Sequence, residues 1–158
     1  MSTRRHQSLK QLADPANEAF LLEYSPFFRL TQAESLYQKR IAENLKAVGM
    51  DIPRWRILMI LHEKSPSTIS EIADRAMMKL STMTRVAQRL EGDSLVNLMP
   101  NKKDARSTDV HITGAGELAV DKIRTVASRT FRRATEELST KELEALNSLL
   151  TRLSEALL

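Results

Sequence analysis

The stretch from 68 to 112 limits the fold more than any other part of the sequence, because it predicts two short helices followed by two strands. Thr68 and Glu71 have the spacing of a capping box, in which each side chain satisfies the other residue's free amide at a helix start. Apolar residues then recur at helical spacing. After a break around 77–79, a second helix is predicted over 80–91. Two short helices joined by a tight turn form a helix-turn-helix.

The second predicted helix has two different sides. One side is apolar and would dock the helix onto a core; it carries Met83, Val86, Ala87 and Leu90. The opposite side carries donors and acceptors. Arg and Gln can bond two atoms of one base edge, and short hydroxyls reach bases or phosphates. The polar side therefore predicts DNA readout by Ser81, Arg85 and Gln88, with Thr82, Thr84 and Arg89 beside them.

A β-hairpin with a basic tip is predicted directly after this helix. Residues 96–99 and 108–112 read as short strands, and apolar residues alternate in the second of them. The polar loop between them carries three cations, Lys102, Lys103 and Arg106. Between residues 79 and 106, six cations face three anions, so the positive excess lies on the predicted DNA side. A hairpin in this position is the wing of a winged helix-turn-helix.

The sequence resembles the MarR family of bacterial transcriptional regulators. The order and spacing of short motifs carry the resemblance: Ser70-Glu71-Ile72-Ala73, Ser81-Thr82-Met83-Thr84-Arg85, Arg89-Leu90-Glu91, Leu95-Val96, Asp104-Ala105-Arg106-Ser107 and Ile112-Thr113. Two positions depart from the family pattern. Met77 stands where many relatives have Gly. Ser94 must adopt the left-handed conformation that Gly adopts in relatives, or the cap shifts back to Gly92.

The resemblance implies a mainly α fold with a small β-hairpin wing and long N- and C-terminal dimerisation helices. The 158 residues suit one domain, 1–158. Within it we expect a flexible tail over 1–13, dimerisation helices over 14–50 and 113–158, and the winged helix-turn-helix over 53–112. Asp14-Pro15 has the pattern of a helix start, and Ser25-Pro26 repeats it.

Helix ends are also predicted in the outer segments. The helix that starts at Ser25-Pro26 should run up to Gly49 as its cap, and one from Thr113 should run to about 138. Ser139 and Glu142 form another capping box. The last helix carries a stripe of Leu143, Leu146, Leu149, Leu150, Leu153 and Leu157. The stripe is either intramolecular core or a subunit interface, and the family resemblance favours the interface.

The composition argues against several other classes of protein. The chain has no cysteine, which removes disulfides, thiolate metal sites and thiol-based peroxide sensing, and fits a reducing cytoplasm. His6, His62 and His111 lack partners at metal-ligand spacing, and no turn motif supports a Ser-His-Asp site. We therefore expect no enzyme activity, no metal and no cofactor. The basic N-terminus is followed by no apolar segment, and no apolar run is long enough to span a membrane.

A small-molecule effector is implied by the resemblance alone. Many members of the family bind small, often aromatic and acidic compounds in a crevice between the dimer helices and the winged module. Aromatic side chains with a guanidinium suit an aromatic carboxylate or its thioester. The candidates for such a site are Phe27, Phe28, Arg29, Arg54, Trp55 and His62. Trp55 reads equally well as a core anchor.

Together these observations predict a homodimeric transcription factor, most often a repressor in this family, that binds a pseudo-palindromic operator. The polar side of the second helix would read the major groove. Arg106, braced by Asp104, would enter the flanking minor groove, while Lys102, Lys103 and Ser107 contact phosphates. Two alternatives keep the fold: a dimeric module that binds protein instead of DNA, and a DNA-binding protein without an effector.

Overall fold

The computed structural model describes residues 8–158. Their fold is mainly helical with a small three-stranded antiparallel sheet, which confirms the predicted fold class. The elements in chain order are α1 (Leu9–Leu12), a 3₁₀ turn (Leu22–Tyr24), α2 (Pro26–Lys46), α3 (Ile52–Glu63), β1 (Ser67–Thr68), α4 (Ile69–Arg75), α5 (Leu80–Gly92), β2 (Val96–Pro100), β3 (Thr108–Ile112), α6 (Gly114–Ala134) and α7 (Thr140–Glu155). The chain divides into two compact units, Met1–Arg40 and Ile41–Leu158.

In the first unit, the predicted helix start at Asp14-Pro15 is wrong. The helix lies earlier, over 9–12, where Ser8 and Gln11 form a capping box. The Asp14 carboxylate instead accepts a hydrogen bond from the Ala16 amide at 3.0 Å. An Asp side chain that bonds the backbone two residues later forms a turn, which competes with a helix start. Of the tail predicted as flexible, residues 1–7 lie outside the described residues.

The connection between α2 and α3 follows the prediction, except that α2 ends earlier than expected. α2 begins at Pro26 as predicted and ends at Lys46, three residues before Gly49. Gly49 has φ +71°, and the next amide, that of Met50, donates to the Leu45 carbonyl at 3.0 Å. Asp51 then caps α3 by accepting from the Arg54 amide at 2.9 Å. Gly49 is thus the left-handed residue of the helix end.

The core of the second unit surrounds α3. Ile57, Leu58 and Leu61 of this helix are fully buried, and Trp55 packs partly buried against the same cluster. The other buried residues come from the end of α2, from α4, α5 and the sheet, and from α6. A helix whose apolar residues point in most directions belongs in the middle of a core.

Among residues 8–158, two non-glycine residues adopt the left-handed conformation, and both are positions where the sequence departs from the family pattern. Met77 has φ 52° and Ser94 has φ 60°. Gly92 remains the last residue of α5, and the Leu95 amide donates to the Leu90 carbonyl at 2.9 Å. Of the two outcomes that the sequence allowed for this helix end, the left-handed Ser94 is the one observed.

The helices after the wing begin where predicted. Thr113 caps α6 by accepting from the Gly116 amide at 3.0 Å, and Ser139 and Glu142 form the predicted capping box of α7. The Ser139 hydroxyl and amide, which both donate to Glu142, lower the pKa of that carboxyl group. α6 ends at Ala134, earlier than the predicted 138, because the chain turns there with the Leu138 amide bonded to the Thr135 carbonyl.

Candidate nucleic-acid interface

The capping box that starts α4 has the predicted geometry. The Thr68 amide donates to Glu71 Oε2 at 2.8 Å, and the Glu71 amide donates to Thr68 Oγ1 at 3.2 Å. The Thr68 amide, and the Lys64 ammonium at 3.0 Å, lower the pKa of Glu71. Thr68 also pairs with Asp109 in the sheet. The start of the helix-turn-helix is therefore fixed to the wing.

The two sides of α5 are separated as predicted. Its apolar residues Met83, Val86, Ala87 and Leu90 are all buried. On the opposite side Ser81, Arg85 and Gln88 are exposed, as are Thr82 and Arg89, while Thr84 is half-buried. Within residues 8–158 the Arg85 guanidinium forms no ion pair, so its donors are available to a base edge.

Two residues beside this polar side have partners that the sequence did not reveal. Arg89 donates to Asp51 Oδ2 at 3.2 Å, and the Thr84 hydroxyl donates to the Leu80 carbonyl at 2.9 Å. Asp51 was missed as a positioning residue, although an acid directly before Ile52-Pro53 is a typical helix cap. The DNA contacts assigned to Thr84 and Arg89 remain predictions.

The wing tip is ordered by two side chains. Asp104 Oδ1 accepts from the Arg106 amide at 3.0 Å, and its Oδ2 accepts from the Ser107 hydroxyl at 2.9 Å. Asn101 Oδ1 accepts from the amides of Lys103 and Asp104 at 2.8 and 3.0 Å. Asp104 therefore braces the backbone at Arg106 and holds the Ser107 hydroxyl.

The charges of the wing tip are free to meet an anion. Lys102, Lys103 and Arg106 are exposed and form no ion pair with any residue in 8–158. Arg54, Arg75 and Arg89, by contrast, are all paired with carboxylates. Cations without an intramolecular partner are the ones that can neutralise phosphates.

Hydrogen bonds join the wing to α5, the predicted recognition helix. The Leu98 amide in β2 donates to Glu91 Oε1 at 2.9 Å, and the Thr113 amide donates to the Leu95 carbonyl at 3.1 Å. β3 is the central strand of the sheet, pairing Val110 with Leu98 on one side and with Ser67 on the other. Arg85 and the wing-tip cations are thus presented by connected elements.

The residues predicted to bind an effector are distributed over both units. In the first, Phe27 is 49% exposed, and Arg29 donates to the Glu23 carbonyl at 3.1 Å. In the second, the Arg54 guanidinium donates to Asp93 and to the Gly49 carbonyl, both at 2.7 Å. His62 Nδ1 lies 2.8 Å from Glu117 Oε2. Phe28 is half-buried, and Trp55 packs on the core.

The second unit also contains a cavity of about 330 Å³ that the sequence did not predict. Its walls are apolar apart from one lysine, and the lining residues are Val48, Met50, Leu95, Ala115, Leu118, Ala119 and Lys122. None of the predicted effector residues lines it. These residues come from separate segments of the chain, so no local pattern could have indicated the cavity.

Two further observations concern sites other than DNA. Within 8–158, no three His, Cys, Asp or Glu side chains cluster in a way that could hold a metal ion. His6 lies outside the described residues. In the same part of the chain, no helix has both the length and the apolar character needed to cross a membrane.

Comparison with known proteins finds transcriptional regulators in sequence and in structure. The family model described as "MarR family" matches residues 50–108. The HTH-type transcriptional repressor IacR of Pseudomonas putida is 36% identical over 137 residues, covering 87% of this chain and 82% of the relative. A probable transcriptional regulator from Pseudomonas aeruginosa is 27% identical with a TM-score of 0.74, covering 84% of this chain and 99% of that one. A point mutant of MarR from E. coli, solved with operator DNA, has the same fold with a TM-score of 0.74 and 21% identity, covering 83% of this chain and 95% of that one.

Proposed function

The chain belongs to the MarR family of transcriptional regulators, and from this premise we propose that it is a homodimeric repressor of a pseudo-palindromic operator. As a member it is a DNA-binding regulator and not an enzyme. The similar IacR is described as a repressor, which supports the same sign of regulation here. Action on DNA implies that the protein works in the cytoplasm.

The observation that carries the proposal is a connected surface of unpaired donors. Arg85 on α5 and the wing-tip cations lack ion-pair partners within 8–158, and the Glu91–Leu98 hydrogen bond connects α5 to the wing. We assign base contacts in the major groove to Ser81, Arg85 and Gln88. Arg106 would enter the neighbouring minor groove, where narrow A·T tracts concentrate negative potential.

Dimerisation is supported by the leucine stripe of α7. No residue of this helix is buried within the chain: Leu146 and Leu149 are 45% and 58% exposed, and Leu157, two residues after the helix, is 71% exposed. Intramolecular core would bury them. Exposed apolar side chains in a continuous stripe mark a surface that another molecule covers. We infer that this molecule is a second copy of the chain, because two-fold symmetric dimers are the most common oligomers. The organisation as one MarR-type domain, 1–158, stays part of this proposal.

Replacing Arg85 by alanine tests the groove assignment. The full chain is used to select an operator from random duplexes, and a footprint should show two half-sites about 34 Å apart, as a two-fold dimer requires. Arg85→Ala should lower the affinity by about 1–3 kcal/mol per half-site and relax the preferred base at one position. Anisotropy titration with the selected operator and its single-base variants measures both effects.

Arg89→Ala serves as the matched control on the same helix. Because Arg89 is paired with Asp51, we assign it a phosphate contact only, so its loss should weaken binding on every sequence alike and leave the base preferences unchanged. Equal effects of the two variants would contradict the groove assignment. A chain that selects no operator at all would favour the alternative of a dimeric module that binds protein.

We also propose that a small aromatic carboxylate or thioester releases the protein from DNA. The support is the family membership together with two candidate locations in the second unit: the predicted residues Arg54, Trp55 and His62, and the apolar cavity with Lys122. A modest preference of the ligand for the form that does not bind DNA suffices, since a coupling of about 1–3 kcal/mol changes affinity roughly 5–150-fold. Leu95, which lines the cavity, connects α5 to the wing.

A panel of aromatic acids should include one that lowers operator affinity by roughly 5–150-fold. Trp55 is the only tryptophan, so its fluorescence reports binding without a label. Trp55→Phe should abolish release if the predicted set binds the ligand, and Lys122→Ala should abolish it if the cavity does. If no compound releases DNA, the protein is the alternative without an effector.

A further inference from the structure

The recognition helix has an apolar edge beside its polar side. Leu80, the first residue of α5, is 54% exposed, and Met77 in the turn before it is 89% exposed. Neither packs in the core. The contact between the turn and the core is made by Met78, which packs against the cluster that contains Met83. Single exposed apolar residues are common, but these two lie within four residues at the helix end that contacts base edges.

Thr84 extends this edge. It lies four residues after Leu80 and therefore on the same side of the helix. Its hydroxyl donates to the Leu80 carbonyl at 2.9 Å, so the proton that could have bonded a base is already used within the helix. The hydroxyl oxygen can still accept a hydrogen bond, and the γ-methyl group is free for an apolar contact. Ser81 directly follows Leu80, and Arg85 directly follows Thr84. The apolar edge therefore lies beside the polar side of the helix.

We propose that Leu80 and the γ-methyl of Thr84 recognise thymine through its C5-methyl group, next to the base pair that Arg85 contacts. The inference rests on the proposed function. Thymine is the one base with a methyl group on its major-groove edge, and apolar side chains are the groups that recognise it. The exposed surface of Leu80 would leave water on meeting that methyl group. Leu80 has no polar group, so an apolar contact is the only one that it can make with a base.

Replacement of thymine by uracil tests the proposal, because the two bases differ only by that methyl group. Each thymine of the selected operator is changed to uracil in turn, and affinity is measured by anisotropy with the full chain. For the wild-type protein, uracil at the recognised position should lower affinity about fourfold, the effect of removing one buried methyl-sized group. At the other thymines the change should stay below about twofold.

Leu80→Ala and Thr84→Ser supply the other half of a double-mutant cycle. With Leu80→Ala, the preference for thymine over uracil should fall below about twofold, because the larger of the two apolar partners of the methyl group is gone. Thr84→Ser keeps the hydroxyl and removes only the side-chain methyl, so it should reduce the same preference. Met77→Ala is the matched control, since Met77 is exposed but precedes the helix. Leu80 is half-exposed, so Leu80→Ala should fold, and a thermal melt checks this.

The possible outcomes distinguish a failure of the methyl readout from a failure of the proposed function. A chain that selects no operator overturns the proposed function and the methyl readout together. A chain that selects an operator whose thymine methyl groups have no effect overturns only the methyl readout. A uracil penalty that stays at about fourfold in Leu80→Ala also overturns it. A loss of affinity in Leu80→Ala that is equal for thymine and uracil shows that Leu80 contacts the sugar-phosphate backbone instead.

Discussion

Gly116→Ala is expected to lower the free energy of unfolding by roughly 3 kcal/mol or more. A β-carbon at this position would lie 2.2 Å from the Leu95 carbonyl oxygen and 2.7 Å from Ile112 Cγ1. The Leu95 carbonyl belongs to the backbone and accepts a hydrogen bond from the Thr113 amide. This bond joins the segment after α5 to the start of α6, and the carbonyl cannot move without breaking it. Urea denaturation followed by circular dichroism measures the change in midpoint.

Gly114→Ala is the matched control for this prediction. Gly114 lies two residues earlier in the same first turn, and an added β-carbon would meet nothing within 4 Å. Its replacement should leave stability unchanged or raise it by a few tenths of a kcal/mol, since alanine is the better helix former. If both variants unfold at the same urea concentration, the contact between α6 and Leu95 is not tight. The Gly116 variant should also bind operator more weakly, because Leu95 connects the recognition helix to the wing.

Local patterns in the sequence predicted much of the fold, because capping boxes and apolar periodicity depend on neighbouring residues. The starts of α4 and α7, the buried side of α5 and both wing strands were predicted in this way. Asp14-Pro15 was the wrong choice of helix start. The Asp14 side chain bonds its own turn, and this competition cannot be judged from residue types alone.

Contacts between distant residues could not be predicted. The residues beside Gly116 in the sequence give no sign of crowding, whereas the structure shows that Leu95, 21 positions earlier, leaves no space for a side chain at Gly116. The pairing of Arg89 with Asp51 spans 38 positions, so the sequence assigned Arg89 to DNA without weighing an intramolecular partner. The strained conformation of Ser94, in contrast, was among the predicted outcomes, because a helix end demands a left-handed residue there.

Raising the salt concentration from about 50 to about 200 mM is expected to lower operator affinity by about ten-thousandfold. Four cations per protomer, Lys79, Lys102, Lys103 and Arg106, form no ion pair with any residue in 8–158 and lie at the start of α5 or in the wing. A dimer brings eight of them to the duplex, and Arg106 counts with the lysines because the minor groove that it enters lies between the phosphates of both strands. Each neutralised phosphate releases condensed counterions, so the logarithm of the affinity should fall with the logarithm of the salt concentration at a slope of about −7.

Variants of single cations test which contacts produce this slope. Lys103→Ala removes one phosphate contact from each protomer, so the slope should become shallower by about two and affinity should fall on every sequence alike. Lys141→Ala on α7 removes the same charge from an element outside the wing and the helix-turn-helix and should leave the slope unchanged. A wild-type slope shallower than about −3 would contradict phosphate binding by these cations. Arg85→Ala should relax the base preference with little change of slope, because a contact to a base edge adds discrimination beyond the phosphate contacts that set the salt dependence.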